Sequence, residues 1–170
     1  MVLSDGATPP PLQDRGNDQE DEMYDAHALD RGTVADVMHR GIVVCDVDSP
    51  LGAVARMMAA HRIHCVVIRN GAAGETPDAG LWGVVSDLDL VRILVTRGIL
   101  GRTAGESAAT PAVVVRADEP VLRAAELMAE REVAHLVVVD HRAKPVGVVS
   151  TLDVARAISD PLPSYAPAGR

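Results

Sequence analysis

Gly83-Val84-Val85-Ser86-Asp87-Leu88-Asp89 returns 64 residues later as Gly147-Val148-Val149-Ser150-Thr151-Leu152-Asp153. Upstream, Val43, Val44, Asp48, Pro50, Ala55, Met58, Ala59 and Val67 recur as Val113, Val114, Asp118, Pro120, Ala125, Met128, Ala129 and Val137 at an offset of 70. The change of offset places a six-residue insertion within Gly71 to Gly80 of the first copy. A unit repeated at this length cannot bury its apolar face alone, so the two copies are expected to pack against each other and to leave clefts between them. A repeat of about 60 residues would bury only about 60% of its unfolded surface, which also argues that the pair folds as one body.

Nearly half of the 170 residues are apolar, enough for a real core. The formal charge of −8 is unevenly placed: residues 1–30 carry −7 and the remaining residues −1. Neither part has the basic face that nucleic-acid binding requires. No apolar run approaches the roughly 18 residues of a membrane helix, and the start lacks the basic and apolar regions of a signal peptide, so a cytoplasmic protein without membrane contact is expected. Cys45 and Cys65 fall in expected strands, where an unpaired cysteine behaves as a small buried hydrophobe; a disulfide is the less favoured reading in a reducing compartment.

Residues 1–28 combine Pro9-Pro10-Pro11, glycines and a charge run, the signature of a disordered acidic leader, and 161–170 read as a flexible tail. Between them lie two units, 31–99 and 100–160. Each is expected to begin with a short helical turn (Val34 to Met38; Ala104 to Ala108) and a strand (Ile42 to Cys45; Ala112 to Val115). A helix follows, opened by Pro50 or Pro120 at its first position. Its apolar face is Leu51, Val54, Ala55, Met58 in one copy and Val121, Ala124, Ala125, Met128 in the other, spaced i, i+3, i+4, i+7. Two apolar strands come next (Cys65 to Ile68 with Trp82 to Val85; Leu136 to Val139 with Val146 to Val149), then a last helix after Ser86 or Ser150. The order β-α-β-β-α, twice, is an α/β (α+β) fold. The last helix of the first copy is apolar on more than one side (Leu88, Leu90, Val91, Ile93, Leu94, Val95), which suits a helix clamped between the halves or a subunit interface.

Ser86-x-x-Asp89 and Ser150-x-x-Asp153 each form a capping box, a purely structural device in which serine and acid satisfy the free N–H groups of the first turn. Their context adds a second meaning. Each follows a Gly-Val-Val strand, and a helix N-terminus at a strand end favours an anion. A carboxylate one turn along can accept hydrogen bonds from the two hydroxyls of a ribose, with the serine left for a phosphate.

Over residues 31 to 160 the chain resembles a tandem pair of cystathionine beta-synthase (CBS) domains, the arrangement called a Bateman module. The resemblance is carried by the two Gly-h-h-Ser-x-x-Asp phrases (h, apolar), by Thr33-Val34-x-Asp36-x-Met38, and by Val137-Val138-Val139-Asp140, where Val137, like Val67 in the first copy, stands in place of the family's usual proline. It implies two copies packed by their sheets about a pseudo-twofold axis, with two clefts for adenosine-containing ligands such as AMP, ADP, ATP or S-adenosylmethionine. Carried over by position, Asp89 and Asp153 would hold the ribose and Ser86 and Ser150 the phosphate. The clefts are crossed in the family, so adenine contacts for the Asp153 site would come from Val43, Ile63 and His64, and those for the Asp89 site from Val113, Val133 and Ala134. In relatives of the AMP-activated kinase gamma type an Ile-His-Arg phrase supplies phosphate ligands. Here it reads Ile63-His64-Cys65 and Val133-Ala134-His135, so neither copy keeps both basic residues.

His61-x-x-His64-Cys65 has zinc-ligand chemistry but poor spacing and no evident fourth ligand, and a helix-end cation explains His61 without a metal. No nucleophile with a base and orienter is recognisable, and no segment is long enough for a separate active site, so neither an enzyme nor a required cofactor is expected. Two functions follow. One is a stand-alone regulatory pair that binds an adenosine compound and signals through its own homodimer or an unidentified protein partner. The other is an interaction or stress-response protein of the same fold that binds no nucleotide.

Overall fold

The computed structural model describes residue 29 and residues 32–70 and 80–159 of the chain. The expected leader and tail, and all of the insertion but Gly80, lie outside them. The chain runs α1 (Val34–Val37), β1 (His39–Arg40), β2 (Val44–Asp46), α2 (Leu51–His61), β3 (Cys65–Arg69), β4 (Leu81–Ser86) and α3 (Asp87–Thr96). The second copy continues with β5 (Val114–Arg116), α4 (Val121–Arg131), β6 (His135–Val139), β7 (Pro145–Ser150) and α5 (Thr151–Ser159).

Each half has the same sheet: β3 lies parallel to β2 and antiparallel to β4, and β6 lies parallel to β5 and antiparallel to β7. The central strands are apolar runs because they are buried on both faces. Along β3, Val66 and Ile68 face the helices of the first half with Leu51, Val54 and Met58, while Cys65 and Val67 face the other sheet. Along β6, Leu136 and Val138 join Ala124, Leu127 and Met128, while Val137 meets Cys65, Val67 and Val84 between the sheets. The strand period of two thus divides every central strand between its own half and the interface. Both α2 and α4 end in a left-handed residue, Arg62 at φ 54° and Glu132 at φ 52°. Pro50 and Pro120 stand one place before the helix, at the N-cap, rather than at its first position.

The sequence repeat is not the structural unit. The entry segment of the first copy leaves its own half and completes the second: β1 pairs antiparallel with β7, His39 opposite Val148 and Arg40 opposite Gly147. Val34, Val37 and Met38 pack into the second half's core. Reciprocally, Ala109 bridges Val84 of β4, and Ala104 is buried among Leu51, Val54 and Val85. The exchange accounts for the glycine in each Gly-Val-Val-Ser phrase. A Cβ on Gly83 would lie 2.5 Å from the Ala109 carbonyl oxygen and 3.0 Å from Ala108 Cβ; one on Gly147 would overlap the His39 carbonyl oxygen and sit 3.0 Å from Met38 Sδ.

Two further expectations are corrected. Ala104–Ala108 is a turn, not a helical turn. Gly105 disfavours a helix there, and its Cα passes so near Val47 that a Cβ would meet the Val47 Cβ at 3.0 Å. The last helix of the first copy, α3, is not clamped between the halves: none of its residues is buried. Leu90 and Ile93 lean on the first half's core, while Leu88, Val91, Leu94 and Val95 face outward.

Candidate functional site

Both Ser–Asp pairs form as the spacing requires, and at Ser86 the return bond completes a capping box. At the start of α3, Asp89 Oδ2 accepts from Ser86 N–H at 2.9 Å and from Ser86 Oγ at 2.6 Å, and the Asp89 N–H donates back to Ser86 Oγ at 3.2 Å. At the start of α5, Asp153 Oδ2 accepts from Ser150 N–H at 2.8 Å and from Ser150 Oγ at 2.6 Å. Backbone bonds set both boxes against the preceding helix–strand turn: Asp87 N–H donates to the His64 carbonyl and Thr151 N–H to that of Ala134.

The second oxygen of each acid separates the two. Asp153 is 3% exposed, and its Oδ1 lies 3.1 Å from His39 Nε2 and 3.4 Å from an Arg156 guanidinium nitrogen. An open groove of about 450 Å³ runs here, between Asp36 to His39 on one wall and Asp153, Arg156 and Ala157 on the other. That volume is in the range of small-molecule sites. Asp89 is half-buried, and among the described residues no donor reaches its Oδ1.

Of the other residues expected from sequence, Val43 and Ile63 pack on the first half's core and Val113 and Val133 on the second's. The groove at Asp153 is therefore lined from the first copy by its entry segment, and not by Val43, Ile63 and His64. His64 is turned to its own half: its Nδ1 lies 2.7 Å from Asp87 Oδ2, both side chains being exposed. Although burial pushes the Asp87 carboxyl up, the hydrogen bonds from His64 and from the Leu88 N–H hold it below the usual range. His135, at the place of Cys65, is half-buried. Burial lowers its pKa, and the field of Asp87 opposes that shift. The charges of His64, Asp153 and Asp89 also act on His135, which pairs with Ser150 across the sheet. Cys45 and Cys65 are both free thiols, and burial pushes Cys65 up to about 12. Among the described residues no three His, Cys, Asp or Glu side chains gather to hold a metal, and no helix is long and apolar enough to cross a membrane.

The residue that sequence reasoning missed is His39. It lies five residues before the first repeated strand, and its equivalent in the second copy is Ala109, so the repeat itself does not mark it. Gly147 is the one trace of its position, since a bare Cα there signals a close backbone crossing.

The family described as CBS domain matches residues 34–96 and 106–160. No curated protein matches the chain. Among solved structures, the chain is 28% identical to a CBS domain protein from Pyrobaculum aerophilum complexed with AMP, with a TM-score of 0.61 over 72% of this chain and 89% of that one. Hypoxic Response Protein I with two coordinated zinc ions is 27% identical, with a TM-score of 0.58 over 74% of this chain and 98% of that one. The CBS domain of a bacterial CNNM/CorC family Mg2+ transporter in complex with ATP shares the fold at 21% identity, with a TM-score of 0.65 over 84% and 98%.

Proposed function

Because the chain belongs to the CBS domain family, as a tandem pair, we propose that it is a regulatory module which binds an adenosine-containing ligand between its repeats. The observation that carries this reading is the pair of Ser–Asp boxes, held at the ends of equivalent strands by the same two bonds to the acid. A cap needs only one carboxylate oxygen. At Asp89 the other is left to accept from ribose hydroxyls, at Asp153 it faces His39 and Arg156, and each helix N-terminus favours the phosphate. The fold neighbour complexed with AMP supports this class of ligand. In this reading the residues at the ligand are Ser86, Asp89, Ser150 and Asp153, with His135 in the field of both acids. No catalytic step is assigned, and the protein acts in the cytoplasm.

The output of the module is association. Leu88, Val91, Leu94 and Val95 of α3 are 49–79% exposed, an apolar face that a homodimer would cover. Light scattering should then give twice the chain mass at micromolar concentration.

Ligand binding is tested by thermal unfolding with AMP, ADP, ATP, S-adenosylmethionine and NAD. A ligand that binds only the folded state stabilises it by about 2.7 kcal/mol at one hundred times its Kd, which is a rise of roughly 5–11 °C for a chain of this size. No rise with any of them at millimolar concentration would favour a CBS-fold interaction protein with empty clefts.

A further inference from the structure

We infer that the two sites are unequal and that His39 makes them so: Asp89 takes the nucleoside, while His39 from the exchanged segment stands over the ribose acceptor Asp153 in a groove that is otherwise open. The inference rests on the ligand class proposed above and concerns which site receives it.

A carboxylate has about four lone-pair positions. At Asp153 three hydrogen-bond donors reach them, Ser150 N–H and Oγ at one oxygen and Arg156 at the other, and His39 Nε2 stands 3.1 Å from that second oxygen. A ribose would have to displace His39 to reach this acid. At Asp89 the Ser86 pair is the same, but the second oxygen receives none of the described donors. The difference lies in side chains and not in the frame. Val148 faces His39 as Val84 faces Ala109, so Ala109 occupies the position of His39. A methyl group cannot donate. Arg92 stands in sequence where Arg156 does, and among the described residues it forms neither a hydrogen bond nor an ion pair with Asp89. His39 is 71% exposed on its side chain, so what holds it over Asp153 is the backbone pairing of β1 with β7 together with the buried carboxylate.

Hydrogen bonds to a charged acceptor differ enough from none to separate the two sites by roughly tenfold to over a hundredfold in affinity. Equilibrium dialysis of labelled AMP against the full chain reads this directly. Wild type should bind one tight equivalent per chain. His39→Ala, at an exposed position, should gain a second whose Kd falls within about threefold of the first. Ala109→His, also at an exposed position, should weaken the tight equivalent at least tenfold by placing a donor over Asp89. Two equal sites in the wild type, a count that stays at one in His39→Ala, or an unchanged site in Ala109→His would each overturn the inference while leaving nucleotide binding intact. AMP bound by none of the three proteins would instead remove the proposed ligand class, and the inference with it.

Discussion

His135 shows how one residue can belong to the fold and to the site at once. It takes the place of Cys65 in the repeat, at the start of the central strand β6, and it stands in the field of both boxes. Burial lowers its pKa in the folded chain below the 6.5 of a free imidazole. The unfolded chain therefore binds more protons than the folded one below that value, and stability is lost as pH falls from 6.5 through the lowered value. We expect Tm to drop across this window in the wild type and to flatten in His135→Gln. Asp87, also held low, acts with the same sign but only at more acid pH, below its ordinary value of 3.8. A wild-type Tm that is constant from pH 7 to 5.5 would show that His135 is not shielded. The two aspartates of the boxes differ at the same scale. Asp89 and Asp153 look identical in sequence, and the contacts that distinguish them come from residues far along the chain.

The glycines of the repeated phrase carry the argument at the level of elements. Each sits where the entry segment of the other copy crosses a strand, and at Gly147 the obstructing atom is backbone, which cannot rotate away. Overpacking of this kind costs typically about 1–3 kcal/mol, so Gly147→Ala should lower Tm by roughly 2–12 °C. Gly52 inside α2 is the control: a Cβ there would meet nothing nearer than an Arg56 guanidinium nitrogen at 3.9 Å. Gly52→Ala should stabilise by about 0.4–1 kcal/mol. Thermal unfolding of the two variants, with shifts of opposite sign, checks the crossing. The helices and central strands were legible in the sequence because burial on one or both faces imposes a period. Leu51, Val54 and Met58 are buried as the spacing required, and Cys65 to Ile68 form a strand buried on both sides. Ala104–Ala108 was misread because it stands in the repeat where Val34–Val37 forms a helical turn, whereas the close pass of Gly105 against Val47 sets its backbone.

At the scale of the whole molecule, the duplication announced two halves and a shared interface, and the inter-sheet cluster of Cys65, Val67, Val84 and Val137 is that interface. It did not announce the exchange. Strand pairing between β1 and β7 joins residues more than one hundred positions apart, and no local period encodes such a register. For the same reason the serines and aspartates of the boxes were readable, being three residues apart, while His39 over Asp153 was not. The exchange brings equivalent positions, His39 and Ala109, to the two boxes, and only their side chains differ. If an aspartate of the boxes reads the hydroxyls of a ribose, removing one hydroxyl weakens binding. The ratio of the Kd of the 2′-deoxy analogue to that of the parent ribonucleotide, for the best ligand of the thermal panel, tests it most directly. Loss of one hydrogen bond to a charged acceptor, worth about 1.5–3 kcal/mol, predicts a ratio from roughly ten to over one hundred. Equal affinity for the two would contradict the account.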